Sequence, residues 1–307
     1  MVPQPSSFSP PAPALAPLPR WISAARPQTA EETAFCAGAA LAHLHGEIAR
    51  PEVPQALLRA RLALGAAQAV LRLEGRREVL AALRDAVHLL GPGDQPDPLG
   101  AAWLLWRQAV ARPLAAIGVA LPEVPERWIA AALGLGLGLG PGLGQGGLTH
   151  RFASVLQQIL DEDPRAETPA LILAEASASR ALGWDHLTPL IVAGLRPGDL
   201  RLRGADLRRA CEAALLRQAP EVMQLTIEVT RGAGRLRAVA PKLRAKGAGQ
   251  AVALFLSRDA LAPRDLAPHD LAALMSDRAA RRLCERLVEL GAVRELTGRD
   301  SFRLYGV

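Results

Sequence analysis

The sequence contains few aromatic residues and little that favours β-structure. Aromatic residues make up 4% of the 307 residues, while the hydrophobic half of the composition consists mostly of Ala and Leu. Sheets select β-branched and aromatic side chains, whereas Ala and Leu are strong helix formers. The composition therefore predicts an all-α protein.

Cysteine and long apolar segments are also scarce. Cys36, Cys211 and Cys284 are far apart and have no metal-ligand spacing, which indicates a reducing compartment and no cysteine metal site. The N-terminus lacks a basic region followed by an apolar one, and no apolar run reaches the length of about 18 residues that a membrane span needs. These absences predict a cytoplasmic protein without membrane association.

Only two lysines occur, Lys242 and Lys246, so arginine supplies almost all of the positive charge. The net charge of +6 is unevenly distributed: residues 196–246 contain 12 basic and 5 acidic residues, and residues 247–307 contain 9 and 8. No acidic residue lies between Arg231 and Lys246, where six basic residues form a basic segment (Arg231, Arg235, Arg237, Lys242, Arg244 and Lys246). Such a segment attracts phosphate independently of nucleic-acid sequence.

Proline, glycine and apolar periodicity divide the chain into five predicted regions. In order, these are a disordered Pro-rich tail (1–28), an N-terminal helical domain (29–133), a Gly-rich linker (134–147), a second helical region (148–246) and a C-terminal module (247–307). Gly204–Ala219 is predicted as an amphipathic helix. Pro220–Ala240 continues it as a helix or, around the β-branched Thr226–Thr230, is extended.

Two motifs that suggest small-molecule chemistry are weak. Gly142–Gly147 fits a dinucleotide fingerprint by letter, but it lacks the preceding strand and following helix that bring phosphate to backbone N–H groups, so a linker is favoured. His43 and His45 point to different sides of a helix and so cannot share one metal ion. The sequence thus gives no cofactor, metal or catalytic residue.

Asp85, His88 and Asp94 have a composition suited to acid–base chemistry, because a carboxylate can orient an imidazole. The favoured interpretation is structural: His88 lies at a helix C-terminus and Asp94 organises the following turn. An enzyme using these three side chains is the least favoured function.

The C-terminal module has the element order of a winged helix-turn-helix. Ala248–Arg258 is predicted as the first helix and Asp270–Leu274 as the second. A third helix follows Ser276 or Asp277, the predicted N-cap, and ends before Gly291. Strands at Ala292–Leu296 and Ser301–Tyr305 then form a small β-hairpin. The fold class is therefore an all-α, multi-helix body with a C-terminal winged helix-turn-helix.

In such a module the third helix presents its exposed face to the DNA major groove, and the wing contacts phosphate or the minor groove. The predicted DNA-binding residues are Arg278, Arg281 and Arg282 on this helix, Arg299 and Arg303 on the wing, and Arg231, Arg235, Lys242 and Lys246 of the basic segment. The opposing interpretation is a solvated, internally paired face, since Asp277, Glu285 and Glu289 lie on the same helix.

Nearly the whole chain resembles the bacterial family of domain of unknown function 1403. The resemblance rests on Leu18–Trp21, Phe35–Leu41, Leu83–Leu89, Gly91–Asp94, Asp277–Leu283, Glu295–Asp300 and Phe302–Gly306. It implies an alphaproteobacterial protein that is often plasmid-borne, and it supplies no catalytic residue. His43 and His45 lie outside the family pattern, which further weakens a metal site there. The C-terminal stretch also resembles the helix-turn-helix ends of other plasmid-borne rhizobial-type proteins.

Two other functions are favoured over that of an enzyme. The first is a regulatory or plasmid-associated protein that binds double-stranded DNA through the winged helix and the basic segment. The second is a protein–protein interaction adaptor whose winged helix packs on a protein partner without DNA. The sequence specifies neither a DNA site nor an oligomeric state.

Overall fold

The computed structural model describes residues 14–91, 93–135, 147–267, 275–299 and 302–307. Helices dominate these residues, and a two-stranded antiparallel sheet lies at the C-terminal end. The α-helices are α1 (Arg20–Ser23), α2 (Ala30–Ile48), α3 (Gln55–Leu73), α4 (Leu80–His88), α5 (Pro98–Ala111), α6 (Glu126–Leu133), α7 (Leu148–Glu162), α8 (Glu167–Ala181), α9 (Gly204–Val239), α10 (Ala248–Phe255) and α11 (Asp277–Glu289). The strands are β1 (Arg294–Glu295) and β2 (Tyr305–Gly306). The prediction of a helical chain with a small terminal sheet is confirmed.

Local sequence signals set several helix ends. Thr29 and Glu32 form a capping box at the start of α2, in which the Thr29 hydroxyl accepts the Glu32 N–H at 3.1 Å. Asp97 caps α5 by accepting the Gly100 N–H at 2.7 Å. These side chains satisfy N–H groups that the first turn of a helix leaves without an intrahelical partner.

The sequence leaves open whether Thr226–Thr230 is helical or extended, and the structure of α9 answers this. These residues are helical, and α9 runs unbroken through Pro220 for 36 residues, about 54 Å. The Thr226 hydroxyl donates to the Val222 carbonyl and the Thr230 hydroxyl to the Thr226 carbonyl, both at 2.7 Å. Buried side chains along α9 pack it into the core, and this tertiary packing overrides the weak helix propensity of the β-branched residues.

Helix α9 also joins the two main hydrophobic cores. The body core takes residues from α1 through Val229 of α9 and includes Trp103, Trp106 and Phe152. A second core contains Leu236 of α9 with residues of α10, α11 and the terminal sheet. The predicted regions 29–133 and 148–246 therefore contribute to one shared body core.

The apolar segment Leu187–Leu195 folds around a buried carboxylate. Glu175 in α8 is fully buried and accepts the N–H groups of Leu190, Ile191 and Val192 at 2.7–3.1 Å. A short 3-10 helix, Val192–Gly194, follows and packs on α9. Burial raises the pKa of Glu175 to about 7, although the three backbone hydrogen bonds oppose this shift.

The described helices include none that is long and apolar enough to cross a membrane. The predicted second helix of the C-terminal module, Asp270–Leu274, lies outside the described residues, as do the Pro-rich residues 1–13 and the glycine-rich residues 136–146.

Candidate nucleic-acid interface

Helix α11 is fixed at both ends by the predicted signals. The Ser276 side chain accepts the Ala279 N–H at its start, and Gly291 adopts a left-handed conformation (φ 65°) just beyond its end. Ala280, Leu283 and Leu287 face the second core. The arginines lie on the opposite face, which is exposed to solvent, as expected for an amphipathic helix.

A groove of about 640 Å³ separates α11 from the segment that follows α9. Five cationic side chains line it, and its other lining residues are uncharged. We call it the basic groove; its cationic residues are Lys242, Arg244, Arg278, Arg282 and Arg286. The end of the basic segment and the exposed face of α11 thus form one continuous positive surface.

Most of this charge is not neutralised inside the protein. Arg286 pairs with Glu289 at 2.9 Å. The other four cations of the basic groove form no ion pair within the described ranges. Arg278, Arg282 and Arg286 are four residues apart and so form one stripe of about 12 Å along the helix.

The structure separates Arg281 from its two predicted neighbours. Its Nε lies 2.9 Å from Asp277 Oδ2, one turn earlier, and Arg281 does not line the basic groove. Both side chains of this pair are exposed, so the pair contributes little stability but lowers the charge presented there.

Other predicted DNA-binding residues hold the C-terminal module in place. Arg235 donates from Nε to the Gly291 carbonyl at 3.2 Å, which ties α9 to the end of α11. Arg299 in the predicted wing pairs with Asp85 of α4 at 2.8 Å. Both guanidinium groups are therefore bound to other elements of the protein.

Three further predicted residues are exposed but lie outside the basic groove. Arg303 is 3.9 Å from Glu295 on the neighbouring strand. Arg231 lies on α9, and Lys246 lies in the loop that precedes α10. Sequence reasoning missed Arg286, although its four-residue spacing from Arg282 was visible, and it treated Arg244 only as a member of the basic segment.

Asp85, His88 and Asp94 do not share one site, because each of them has its own partners. Asp94 accepts the Gly91 N–H at 2.7 Å, which is the predicted turn-forming role, and Asp85 binds Arg299. His88 lies 3.8 Å from Asp265 and tilts against Trp103 at 5.8 Å between ring centroids. Since burial lowers the pKa of His88, its imidazole is neutral near pH 7.

The two histidines of α2 also diverge. His43 Nε2 lies 3.0 Å from the Ala16 carbonyl, and His45 stacks on Trp184 at 5.6 Å. Among the residues with described positions, no group of three or more side chains is arranged to hold a metal ion. Of the glycine motif at 142–147, only Gly147 is described, and it precedes α7 as its N-cap.

Comparison with known families identifies the one to which the chain is similar. The model of a family described as "Protein of unknown function (DUF1403)" matches residues 11–307. No curated protein matches the chain.

Proposed function

The chain belongs to the DUF1403 family, and we propose that it is a DNA-binding protein, regulatory or plasmid-associated, whose C-terminal module is a winged helix. The element order supports this proposal: α10, a connection, the Ser276-capped α11, and an antiparallel pair in which Arg294 opposes Gly306. Leu261 in the connection exchanges two backbone hydrogen bonds of 2.9 Å with Tyr305, which adds an edge to the hairpin.

The basic groove carries the proposal. A major groove about 12 Å wide admits one α-helix, and the phosphates of the flanking strand then run beside that helix. In our proposal α11 enters the major groove, and one flanking phosphate backbone lies between α11 and Lys242 and Arg244. Arg278 and Arg282 reach both the phosphates and the nearby base edges.

The exposed charges outside the basic groove have a smaller role in this proposal. Arg231 and Lys246 add long-range attraction to DNA, which salt screens within about 10 Å at 0.1 M. Arg235 and Arg299 act indirectly, because they hold the position of the module against α9 and α4.

The test is duplex binding by fluorescence anisotropy with a pool of mixed-sequence duplexes at several salt concentrations. We expect Arg278→Gln combined with Arg282→Gln to weaken binding at least about tenfold and to reduce the salt slope by about two, one for each lost phosphate contact. The matched control is Arg165→Gln combined with Arg180→Gln, which removes the same charge from exposed positions on the body.

Two results would refute the proposal. One is the absence of duplex binding by the wild-type protein at low salt, where phosphate attraction is greatest. The other is an equal loss in both double variants, which would show that only net charge matters.

A protein–protein interaction adaptor without DNA binding is the second candidate. Trp21 and Phe35 are 56% and 68% exposed, and their rings lie 6.0 Å apart. Exposed aromatic pairs are unusual on monomer surfaces and are typical of interaction sites. An adaptor predicts that Phe35→Ser abolishes co-purification of a partner from the native host, while the basic-groove double variant retains it.

A further inference from the structure

A second cavity lies where the helical body meets the C-terminal module. It is a cleft of about 600 Å³ between α3, the end of α4 and α5 on one side and residues 257–265 on the other. We call it the arginine cleft. Its volume is within the range of small-molecule sites, and such sites commonly occur between structural units.

The arginine cleft has an excess of positive charge. Five arginines line it against two aspartates. Asp259 is already neutralised by Arg61 and Arg84, which approach it at 2.5 and 2.6 Å and do not line the cleft. Asp265 accepts the Ala262 N–H at 2.7 Å.

Two of these arginines lie close enough in the cleft to repel each other. Arg107 comes from α5 and Arg258 from the C-terminal segment, and neither forms an ion pair within the described part of the chain. Desolvation lowers the pKa of Arg107, the positive charge of Arg258 lowers it further, and the carboxylate of Asp265 opposes both effects. Repulsion between like charges from two structural units is relieved when an anion lies between them.

Trp103 positions one of these two cations at the wall of the arginine cleft. The residue is 2% exposed, and the guanidinium carbon of Arg107 lies 5.5 Å from the centroid of its indole ring. A cation over an aromatic face is attracted to the ring. The indole therefore holds Arg107 where it lines the cleft.

We propose that the arginine cleft binds a small organic oxyanion, phosphorylated or carboxylated, with its charged group between Arg107 and Arg258. The rest of the ligand lies against the apolar part of the lining, at Val87 and Ala111. The ligand contacts the body and the C-terminal module at once, so its binding holds the two together. This site is separate from the basic groove and does not depend on DNA binding.

The test measures binding to the full-length protein by isothermal titration calorimetry, at constant ionic strength. The probes are glucose 6-phosphate for the phosphate arm, and citrate and malate for the carboxylate arm. We expect saturable binding of at least one probe. Arg107→Gln should weaken it about tenfold or more, the value for one charge-assisted hydrogen bond.

Three variants distinguish binding in the arginine cleft from a general effect of positive charge. Arg258→Gln removes the second cation of the proposed site, so it should weaken the same probe, with folding checked by circular dichroism. Arg165→Gln removes an exposed charge elsewhere and should bind as wild type. Arg278→Gln combined with Arg282→Gln should also bind as wild type, because the ligand is not in the basic groove.

Binding of neither arm at millimolar concentration would overturn the proposal. So would equal affinity in the Arg107 and Arg165 variants, or loss of binding only in the basic-groove variant.

Discussion

Replacing the buried carboxylate of Glu175 with an amide should change how stability depends on pH. Glu175→Gln keeps the size and one carbonyl oxygen of the side chain, which can still accept the N–H groups of Ile191 and Val192 at the present 2.7 and 2.8 Å. The Leu190 N–H now donates to both carboxylate oxygens at 3.1 Å, so it keeps one acceptor but faces the new amide nitrogen, which is itself a donor. This buried contact between donors costs about 1–3 kcal/mol at every pH.

The pH-dependent part follows from the raised pKa. In the folded protein the pKa of Glu175 is about 7, against 4.5 for an unperturbed glutamate. Between these values the folded state binds more protons than the unfolded state, so stability falls as pH rises. The contribution is fully present below pH 4.5 and is lost above pH 7, a change of about 3 kcal/mol.

Urea unfolding at pH 5, 6, 7 and 8 tests this, followed by circular dichroism and tryptophan fluorescence to check for coincident transitions. The stability difference, wild type minus Glu175→Gln, should decrease by about 2.5 kcal/mol between pH 5 and pH 8, since part of the contribution is already lost at pH 5. Glu123→Gln, at an exposed position, should run parallel to wild type. A constant difference for Glu175→Gln would show that the backbone donors outweigh burial and that the carboxylate is charged throughout.

Two further substitutions test the packing around the sites. Gly194→Ala should destabilise the protein by about 1–3 kcal/mol or more, because a Cβ there would overlap the Ala214 carbonyl of α9. In the control Gly198→Ala the new Cβ meets no neighbour, so this variant should be nearly neutral. Equal urea midpoints for the two variants would contradict this reasoning. Asp259→Asn should cost about 3–5 kcal/mol at pH 7, since it leaves two largely buried arginines without their counter-charge. Its effect should stay constant down to about pH 3.8 and shrink only below that pH: burial opposes the charge of Asp259, but its two arginines outweigh this and hold its pKa below the ordinary 3.8. If Asp259→Asn lowers the free energy of unfolding at pH 7 by less than about 1 kcal/mol, the value of an exposed ion pair, the buried-pair reasoning is refuted.

Local signals in the sequence predicted much of α11 and its surroundings. Ser276, Gly291 and the apolar spacing act within one or two turns, so they can be recognised without knowing the rest of the fold. The same holds for the turn at Asp94 and for the small terminal sheet, although its strands are shorter than predicted.

Long-range pairing was not predictable in this way. The sequence places Arg299 in a DNA-contacting wing and Asp85 in a possible active site, yet they bind each other across more than 200 residues. Glu175 does not stand out in the sequence, because nothing near it shows that its partners lie 15–17 residues further along. The contacts of a charged side chain depend on where the chain returns, and only the packed structure determines this.

The sequence by itself determined the helical class, the ends of α11 and the concentration of positive charge before residue 247, because composition, capping and periodicity act locally. Only the tertiary structure decided which charges face one another. It brought Lys242 and Arg244 into one groove with Arg278 and Arg282, and it brought Arg107 of the body into one cleft with Arg258 of the C-terminal module. Each cavity has walls that are distant in sequence, so these charges meet only when the chain is packed.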